Sequence, residues 1–332
     1  MIIYSFENKD KIFNKDDALI VEFAGKRKVL STAPHNGGYR KDLKYVFNHG
    51  AELDGILRAD TYAEHIALIA CEIGLNPDFA CGISTAAFVS NASIKTFSFE
   101  NISVTAVVTA GIDVNGGRAG DESYWHEADG KAVPVVYGTI NMLLFFNINL
   151  SKGAMVRSVM TATEAKSVAL QELAAPSKYS QGLATGSGTD GIIVVADCES
   201  PVTFTEAGKH FKLGELIGKS VIFAIKEALF LQTGMNSTRQ FDVFRRMERF
   251  GISKNDIKSH SFSEDFIIQT ILYTHLLDEI EWNLIPNQSA LNIAKKLLHD
   301  MGIEYSNLLL DEKMTLKENL ILTYKRGLEQ IK

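Results

Sequence analysis

The sequence predicts a mixed α/β (α+β) fold in which layered mixed sheets are covered by helices, with a helical extension at the carboxyl end. Segments 140–147 and 192–196 are apolar on both faces and rich in β-branched residues, as is typical of strands covered on both sides. Segments 153–173 and 214–231 repeat apolar residues every three or four positions, which indicates helices with one buried face. From about residue 236 the helical period continues with many charges and few glycines.

The amino-terminal part of the chain predicts strands at 18–23, 27–30 and 103–109. A helix is predicted at 62–73, where apolar residues recur at three and four positions until a glycine interrupts the pattern. The strand at 103–109 leads into the loop GIDVNGGRAGD at 111–121, whose glycines permit positive φ. Loops of this kind at strand ends often hold ligands.

The following segment predicts a second series of strands, helices and loops. A strand at 133–137 precedes Gly138, which indicates a bulge or a close approach of backbone. Ser151 is expected to cap the helix at 153–173. We predict one domain over residues 1–235 and a helical C-terminal extension over residues 236–332. Helices are expected in that extension at 241–250, 264–282 and 290–301.

Composition and charge exclude several classes of function. The 332 residues carry 34 basic and 40 acidic side chains, with a formal net charge of -6, which provides no field for the phosphates of nucleic acid. No run of 18 or more apolar residues occurs, so no membrane span is predicted. The amino terminus mixes acids with bases, unlike an export signal, and the three cysteines form no CxxC pair. These features predict a cytoplasmic protein.

The sequence contains no cofactor-binding, nucleophile-elbow or metal-binding motif in the structural context that such a motif requires. A GxGxxG spacing occurs at 186–191, but the loop runs into a strand and not into the helix that would hold a pyrophosphate. The GxSxG nucleophile elbow is absent. No HExxH motif occurs either, and we predict no metal site. Such a site would have to be assembled from histidines on distant segments, namely His35, His49, His126 and His210.

The step Gly138–Thr139, together with the hydroxyl-rich loop ATGSGTD at 184–190, is the strongest candidate for chemistry. A threonine nucleophile needs a base that takes its proton and donors that stabilise the oxyanion, and amides of a glycine-containing loop can be such donors. Thr139 is the predicted nucleophile. The alternative is that Thr139 is only a β-branched strand residue.

His210 and Glu164 are candidate acid–base groups. His210 follows Lys209 and precedes Glu215 near the start of a helix, which suits a histidine that transfers a proton or binds an amide or carboxylate. Glu164 lies on the polar side of the helix at 153–173. The alternatives are a solvated loop histidine and an ordinary surface glutamate.

Five stretches carry a resemblance to a known family: GTINMLLFFN at 138–147, TATEAK at 161–166, the loop at 184–190, VTAGIDVNGGRAGD at 108–121 and GKHFKLGELIG at 208–218. With them, residues 31–231 resemble the CbiZ family, the adenosylcobinamide amidohydrolases of corrinoid salvage. Two sites depart from the pattern: GISTAA at 82–87 replaces an expected methionine-rich stretch, and Ser187 replaces an expected threonine. Corrinoid preference is therefore the property in doubt.

The resemblance implies hydrolysis of the amide that joins aminopropanol to a corrin propionate, giving adenosylcobyric acid and 1-amino-2-propanol. It implies a corrinoid small molecule as partner and no cofactor, because the cobalt belongs to the substrate. The predicted catalytic residues are Thr139, His210, Glu164 and Asp190. The predicted substrate-binding residues are Asp113, Asn115, Arg118, Asn141, Thr185, Ser187, Thr189, Lys209 and Glu215.

A more distant resemblance is to the DmpA aminopeptidase and ornithine acetyltransferase folds, whose layers are αββα. In those families the residue after the glycine becomes an amino-terminal nucleophile after self-cleavage. Two alternatives to the amidohydrolase therefore stay open: a corrinoid-binding protein without catalysis, and an N-terminal-threonine amidase or aminopeptidase. Whether the chain forms a homo-oligomer stays open as well.

Overall fold

The computed structural model describes residues 1–51, 57–122, 139–256, 261–304 and 311–331. The chain divides into two compact units. Unit 1 comprises Met1–Tyr179 and Leu183–Asn236, and unit 2 comprises Ser180–Gly182 and Ser237–Lys332. The strand predicted at 133–137, together with His126 and Gly138, lies outside the described residues.

The described strands belong to unit 1. In chain order they are β1 (Ile2–Ser5), β2 (Lys11–Lys15), β3 (Ala18–Glu22), β4 (Arg27–Ser31), β5 (Gly38–Arg40), β6 (Tyr45–Gly50), β7 (Ala80–Thr85), β8 (Ser93–Phe99), β9 (Ile102–Ala110), β10 (Gly116–Gly117), β11 (Ile140–Phe146), β12 (Asn149–Leu150), β13 (Gly186–Ser187), β14 (Gly191–Asp197) and β15 (Thr203–Phe204). The helices are α1 (Tyr62–Glu72), α2 (Lys152–Glu172) and α3 (Lys212–Thr233) in unit 1, and α4 (Ser237–Gln240), α5 (Val243–Met247), α6 (Glu264–Glu281), α7 (Asn287–Asp300) and α8 (Leu316–Gln330) in unit 2.

Two mixed sheets form the centre of unit 1. The five-stranded sheet has the order β1-β2-β3-β6-β7, and the six-stranded sheet has the order β5-β4-β14-β11-β9-β8. Each contains one parallel pair, β6 with β7 and β11 with β14, while the other neighbours are antiparallel. A parallel pair needs a long crossover connection. The connections here contain α1 and α2, respectively.

The two sheets and three helices form four layers. In β11, Met142 and Leu144 belong to an apolar cluster with α2 and α3, whereas Leu143 and Phe145 belong to a cluster with the five-stranded sheet. This alternation follows from the two-residue period of a strand. The other face of the five-stranded sheet packs on α1. The order of layers is thus α1, five-stranded sheet, six-stranded sheet, and α2 with α3. The predicted layering of mixed sheets covered by helices is confirmed.

Local signals fix the helix ends. Ser151 caps α2 as predicted, since its hydroxyl accepts a hydrogen bond from the Ala154 amide at 3.1 Å. Thr61 and Glu64 form a capping box at the start of α1. Gly234, with φ of 71°, ends α3 in a left-handed conformation that favours glycine.

A buried ion cluster joins the two sheets. The Arg27 side chain is 2% exposed, and its guanidinium donates to both carboxylate oxygens of Asp10 at 2.8 Å and to Asp197 at 3.0 Å. Asp10 precedes β2, Arg27 begins β4 and Asp197 ends β14. The cluster therefore connects the turn between β1 and β2 of the five-stranded sheet with β4 and β14 of the six-stranded sheet.

Replacing Arg27 with methionine should lower the free energy of unfolding by about 3–5 kcal/mol, because two buried carboxylates would lose their cation. Urea unfolding measures the change. Lys226→Met is the control, since Lys226 forms an ion pair with Glu172 that is 35% and 50% exposed and should contribute less than about 1 kcal/mol. Equal losses for the two variants would contradict a stabilising role of the cluster.

Unit 2 has an apolar core of its own, formed by α5 to α8. At its centre the rings of Tyr273 and Tyr324 stack with centroids 5.1 Å apart. Burial raises the pKa of both phenols, so they remain neutral hydrogen-bonding groups. No helix within the described ranges combines the length and the apolarity that a membrane crossing requires.

Candidate active site

The candidate active site lies where β11 and β14 begin. The strands are parallel, and Asn141 pairs with Gly191. The residues just before the two strands therefore meet, and the hydroxyl oxygens of Thr139 and Thr189 are 2.7 Å apart. Thr139 is 2% exposed, whereas Thr189 lies at the surface. The hydroxyl pair thus extends from a buried strand end to solvent.

Asp190 organises the loop around this pair. Its Oδ1 accepts hydrogen bonds from the Ile140 amide at 3.1 Å, the Ser187 amide at 3.0 Å and the Ser187 hydroxyl at 2.6 Å. Its Oδ2 pairs with the ammonium group of Lys166 on α2, and the two side chains are only 12% and 10% exposed. Because both oxygens are occupied by donors, this carboxylate is suited to positioning and not to accepting a proton from a nucleophile.

Lys166 was not among the predicted site residues. The sequence pattern does contain a signal: Ala162, Lys166 and Ala169 are spaced at four and three residues, so Lys166 falls within the apolar stripe of α2. A lysine at a core position of a helix needs a buried partner. Glu164, two residues away, lies on the exposed side instead.

Gly186 has no side chain, and the ion pair of Lys166 and Asp190 occupies the space that a side chain would fill. A β-carbon at this position would lie 2.2 Å from Asp190 Oδ2 and 2.6 Å from Lys166 Nζ, well inside contact distance. Gly186 thus serves close packing against this ion pair.

The loop is tied to a second predicted ligand loop. β10 pairs with β13, the Thr185 amide donates to the Gly117 carbonyl at 2.8 Å, and the Thr185 hydroxyl accepts from the Ala119 amide at 2.9 Å. The amides of Ser187 and Thr189 also donate within the loop. The amides of Thr185, Ser187 and Thr189 therefore help to hold the loop. Of the other predicted ligands nearby, Asn115 is buried, Asp113 is half-buried and Arg118 is exposed.

Asn141, a predicted substrate ligand, is fixed by the five-stranded sheet. Its amide nitrogen donates to Asn48 Oδ1 and to the Ser84 carbonyl, each at 2.8 Å. Asn48 in turn donates to the Thr109 hydroxyl at 2.9 Å. Asn141, Asn48 and Thr109 are each 1% exposed. Both amide hydrogens of Asn141 are thus used within the protein, and its Oδ1 faces Gly191, where a β-carbon would lie only 2.7 Å away. Asn48 and Thr109 were not predicted, because single polar residues within strands show no motif.

The remaining predicted residues lie elsewhere on unit 1. Glu164 and Lys209 form an exposed ion pair at 3.1 Å beside His210, in a surface cavity of about 220 Å³ that Arg157 and Glu206 also line. Glu215 lies in the first turn of α3, where Lys212 and Lys219 lower the pKa of its carboxyl to about 2. The structure therefore brings Thr139, Asn141, Thr185, Ser187, Thr189 and Asp190 together. It places Glu164, Lys209 and His210 in a second group.

Comparison with known proteins decides the family. A sequence model described as adenosylcobinamide amidohydrolase (CbiZ) matches residues 3–237. The chain belongs to the CbiZ family. An uncharacterized protein of Methanocaldococcus jannaschii is 38% identical over 234 residues, which are 67% of this chain and 89% of that protein. An adenosylcobinamide amidohydrolase of Methanosarcina mazei is 30% identical over 226 residues, which are 66% of this chain and 96% of that protein.

A solved structure is also similar to this CbiZ-family chain. The crystal structure of a Pyrococcus horikoshii protein covers 65% of this chain and 77% of its own, with 12% identity and a TM-score of 0.31. Within the described ranges, no group of three or more metal-ligating side chains is placed to hold an ion.

Replacing His210 with alanine tests the second group in this CbiZ-family protein. If His210 contributes only to substrate binding, turnover should stay within about threefold and the KM should rise, because loss of a binding residue acts mainly on KM. Steady-state kinetics with the corrinoid substrate separate the two parameters. A loss of turnover of about 10²- to 10⁴-fold would instead assign proton transfer to His210.

Proposed function

We propose that this protein hydrolyses the amide that joins aminopropanol to a corrin propionate of adenosylcobinamide, in corrinoid salvage in the cytoplasm. The family is one of amidohydrolases, and the relative of Methanosarcina mazei carries this activity as its name. The observation that supports the proposal most directly is the Thr139–Thr189 hydroxyl pair, held by Asp190 and Lys166 at the start of two parallel strands.

In the proposed reaction the Thr139 oxygen attacks the carbonyl carbon of the amide. The Thr189 hydroxyl, 2.7 Å away, orients the attacking oxygen by a hydrogen bond. The C–N bond breaks, and 1-amino-2-propanol leaves after receiving a proton. Water then hydrolyses the resulting ester of Thr139, releases adenosylcobyric acid and restores the hydroxyl.

The proton of Thr139 needs an acceptor. The Asp190 carboxylate is already occupied by hydrogen-bond donors and by Lys166. Two acceptors remain open: water, or the α-amino group of Thr139 if the bond to Gly138 is cleaved. The mass of the intact chain distinguishes them, since cleavage divides it between residues 138 and 139.

The residues proposed for the reaction need no cofactor. Thr139, Thr189, Asp190 and Lys166 supply a nucleophile, a hydrogen-bonding partner and a charged pair that fixes the loop. The cobalt of the corrin belongs to the substrate and does not take part in the cleavage of the side-chain amide.

Incubation of the purified protein with adenosylcobinamide tests the proposal. Chromatography should show adenosylcobyric acid and 1-amino-2-propanol in equal amounts. A protein that binds the corrinoid, as followed by its absorption spectrum, and releases neither product is a binding protein instead. Release of amines from small acyl or peptide amides, with adenosylcobinamide left intact, would favour the threonine amidase.

A further inference from the structure

Two apolar side chains of unit 1 are unusually exposed. Among its described residues after Met1, Phe88 and Val114 are the most exposed large apolar residues, at 61% and 60%. A single exposed apolar residue on a protein surface needs no explanation, whereas apolar side chains gathered around a functional site indicate a binding surface. The positions of these two residues relative to the candidate site therefore decide what they do.

Phe88 lies beside the buried end of β11. The Gly111 amide donates to the Thr139 carbonyl at 3.0 Å, and a β-carbon on Gly111 would lie 3.7 Å from the β-carbon of Ala87. Phe88 follows Ala87 directly. Ala87 thus packs on the residue that is hydrogen-bonded to the proposed nucleophile, and Phe88 is next along the chain.

The backbone of Phe88 is held on both sides. Its amide donates to Gln232 Oε1 at 3.1 Å, and its carbonyl accepts from the Asn91 amide at 2.9 Å. The Asn91 side chain donates to the same Gln232 oxygen at 2.9 Å, and Val89 is 1% exposed. An exposed ring on a fixed backbone loses little conformational freedom when a ligand covers it, which favours binding.

Val114 lies on the segment that connects the two halves of the candidate site. This segment begins at Gly111, next to Thr139, and reaches Gly116, which pairs with Ser187. The turn between its ends contains Val114 and is closed by a hydrogen bond that the Gly116 amide donates within it at 2.8 Å. Val114 is therefore on a loop that is fixed to both parts of the site.

The size of the proposed substrate gives apolar side chains a purpose at this edge. In the proposed reaction the amide ends a side arm of the corrin ring, and the ring is too large to follow the arm to Thr139, which is 2% exposed. The ring must then rest on the surface around the site. The faces of a corrin carry ring carbons and methyl groups, for which phenyl and isopropyl side chains are apolar partners.

We propose that Phe88 and Val114, on the two loops beside Thr139, form an apolar platform that binds one face of the corrin ring and thereby directs the propionate arm to the nucleophile. Binding of the ring, and not only of the amide, then determines which substrates are accepted. The inference rests on the proposed function for its ligand, but it concerns affinity and can be tested without turnover.

Equilibrium dialysis with adenosylcobyric acid, followed by the absorption of the corrin, measures this affinity. The compound has the same ring and lacks the aminopropanol amide, so no cleavage interferes. Phe88→Ala should raise the Kd about tenfold or more and Val114→Ser about three- to fivefold, because less apolar surface is buried. Phe88→Leu keeps an apolar side chain and should stay within about threefold of the wild type.

Two exposed residues of unit 1 that lie away from these loops are matched controls. Phe223 is 55% exposed and lies nine residues before Gln232 on α3, about 13 Å along the helix. Val156 is 54% exposed and lies ten residues before Lys166 on α2, about 15 Å along the helix. Phe223→Ala and Val156→Ser should leave the Kd unchanged.

The outcomes separate the platform from the proposed function. A Kd within about twofold of the wild type for folded Phe88→Ala and Val114→Ser overturns the inference even if the wild type hydrolyses adenosylcobinamide, and so does an equal loss in the two controls. If one of the two variants does not fold, the other decides alone. If the wild type binds adenosylcobyric acid without hydrolysing adenosylcobinamide, the proposed function fails and the Kd comparison still decides the inference. A wild type that binds no corrinoid overturns both.

Discussion

Replacing Thr139 with alanine should reduce amide hydrolysis more than about 10⁴-fold, the scale of loss when a nucleophile is removed. Thr139 is the hydroxyl-bearing residue at the buried end of β11, and its oxygen lies 2.7 Å from that of Thr189. Thr139→Ser keeps the hydroxyl and should keep measurable turnover. Formation of adenosylcobyric acid in a single turnover measures all three proteins.

The same sheet offers a matched control. Thr105 in β9 is 3% exposed, and its hydroxyl lies 2.8 Å from that of Thr96, so the pair has nearly the geometry of Thr139 and Thr189. Thr105→Ala should lower stability slightly and leave turnover unchanged. If folded Thr139→Ala keeps more than about a tenth of wild-type turnover, Thr139 is not the nucleophile. Attack by water would then be the leading mechanism.

Strong local periodicity accounts for the part of the fold that the sequence predicts. The strands predicted at 140–147 and 192–196 are observed as Ile140–Phe146 and Gly191–Asp197, because both are apolar on two faces and bounded by polar residues. By contrast, β6 and β7 were not predicted. Their sequences YVFNHG and ACGIST mix polar and small residues, and their burial comes from pairing with distant strands. Helix α8 was also not predicted, although a capping box at Thr315 and Glu318 starts it.

The candidate site shows the same division between local and distant information. The loop at 184–190 and Thr139 could be chosen from residue types alone, because hydroxyls and glycines near a strand end suggest chemistry. Their meeting depends on β11 and β14 being parallel neighbours, which only the three-dimensional pairing reveals. His210 has a suitable local sequence but lies in the cavity with Glu164 and Lys209. Whether that cavity contributes to substrate binding is decided by the His210 variant.

Replacing Asp190 with asparagine should lower turnover by about 10²- to 10³-fold, similar to the loss of one essential positioning or oxyanion contact. It should also lower the free energy of unfolding by about 3–5 kcal/mol, because the buried ammonium of Lys166 loses its only ionic partner among the described residues. The carboxylate accepts from Ile140 and Ser187 as well, so its loss also loosens the loop that presents Thr189. Urea unfolding and single-turnover kinetics measure the two effects.

A double variant distinguishes two effects of Asp190, namely neutralising the charge of Lys166 and holding the loop that presents Thr189. Lys166→Met combined with Asp190→Asn removes both charges, so stability should partly recover relative to Asp190→Asn, as buried pairs replaced together often show. Turnover should not recover, because Ile140 and Ser187 still lack the ionised acceptor that holds the loop. Glu172→Gln is the control, since Glu172 lies on the same helix and pairs with Lys226 in an exposed position. Recovery of turnover in the double variant would show that Asp190 only neutralises Lys166 and does not position Thr189.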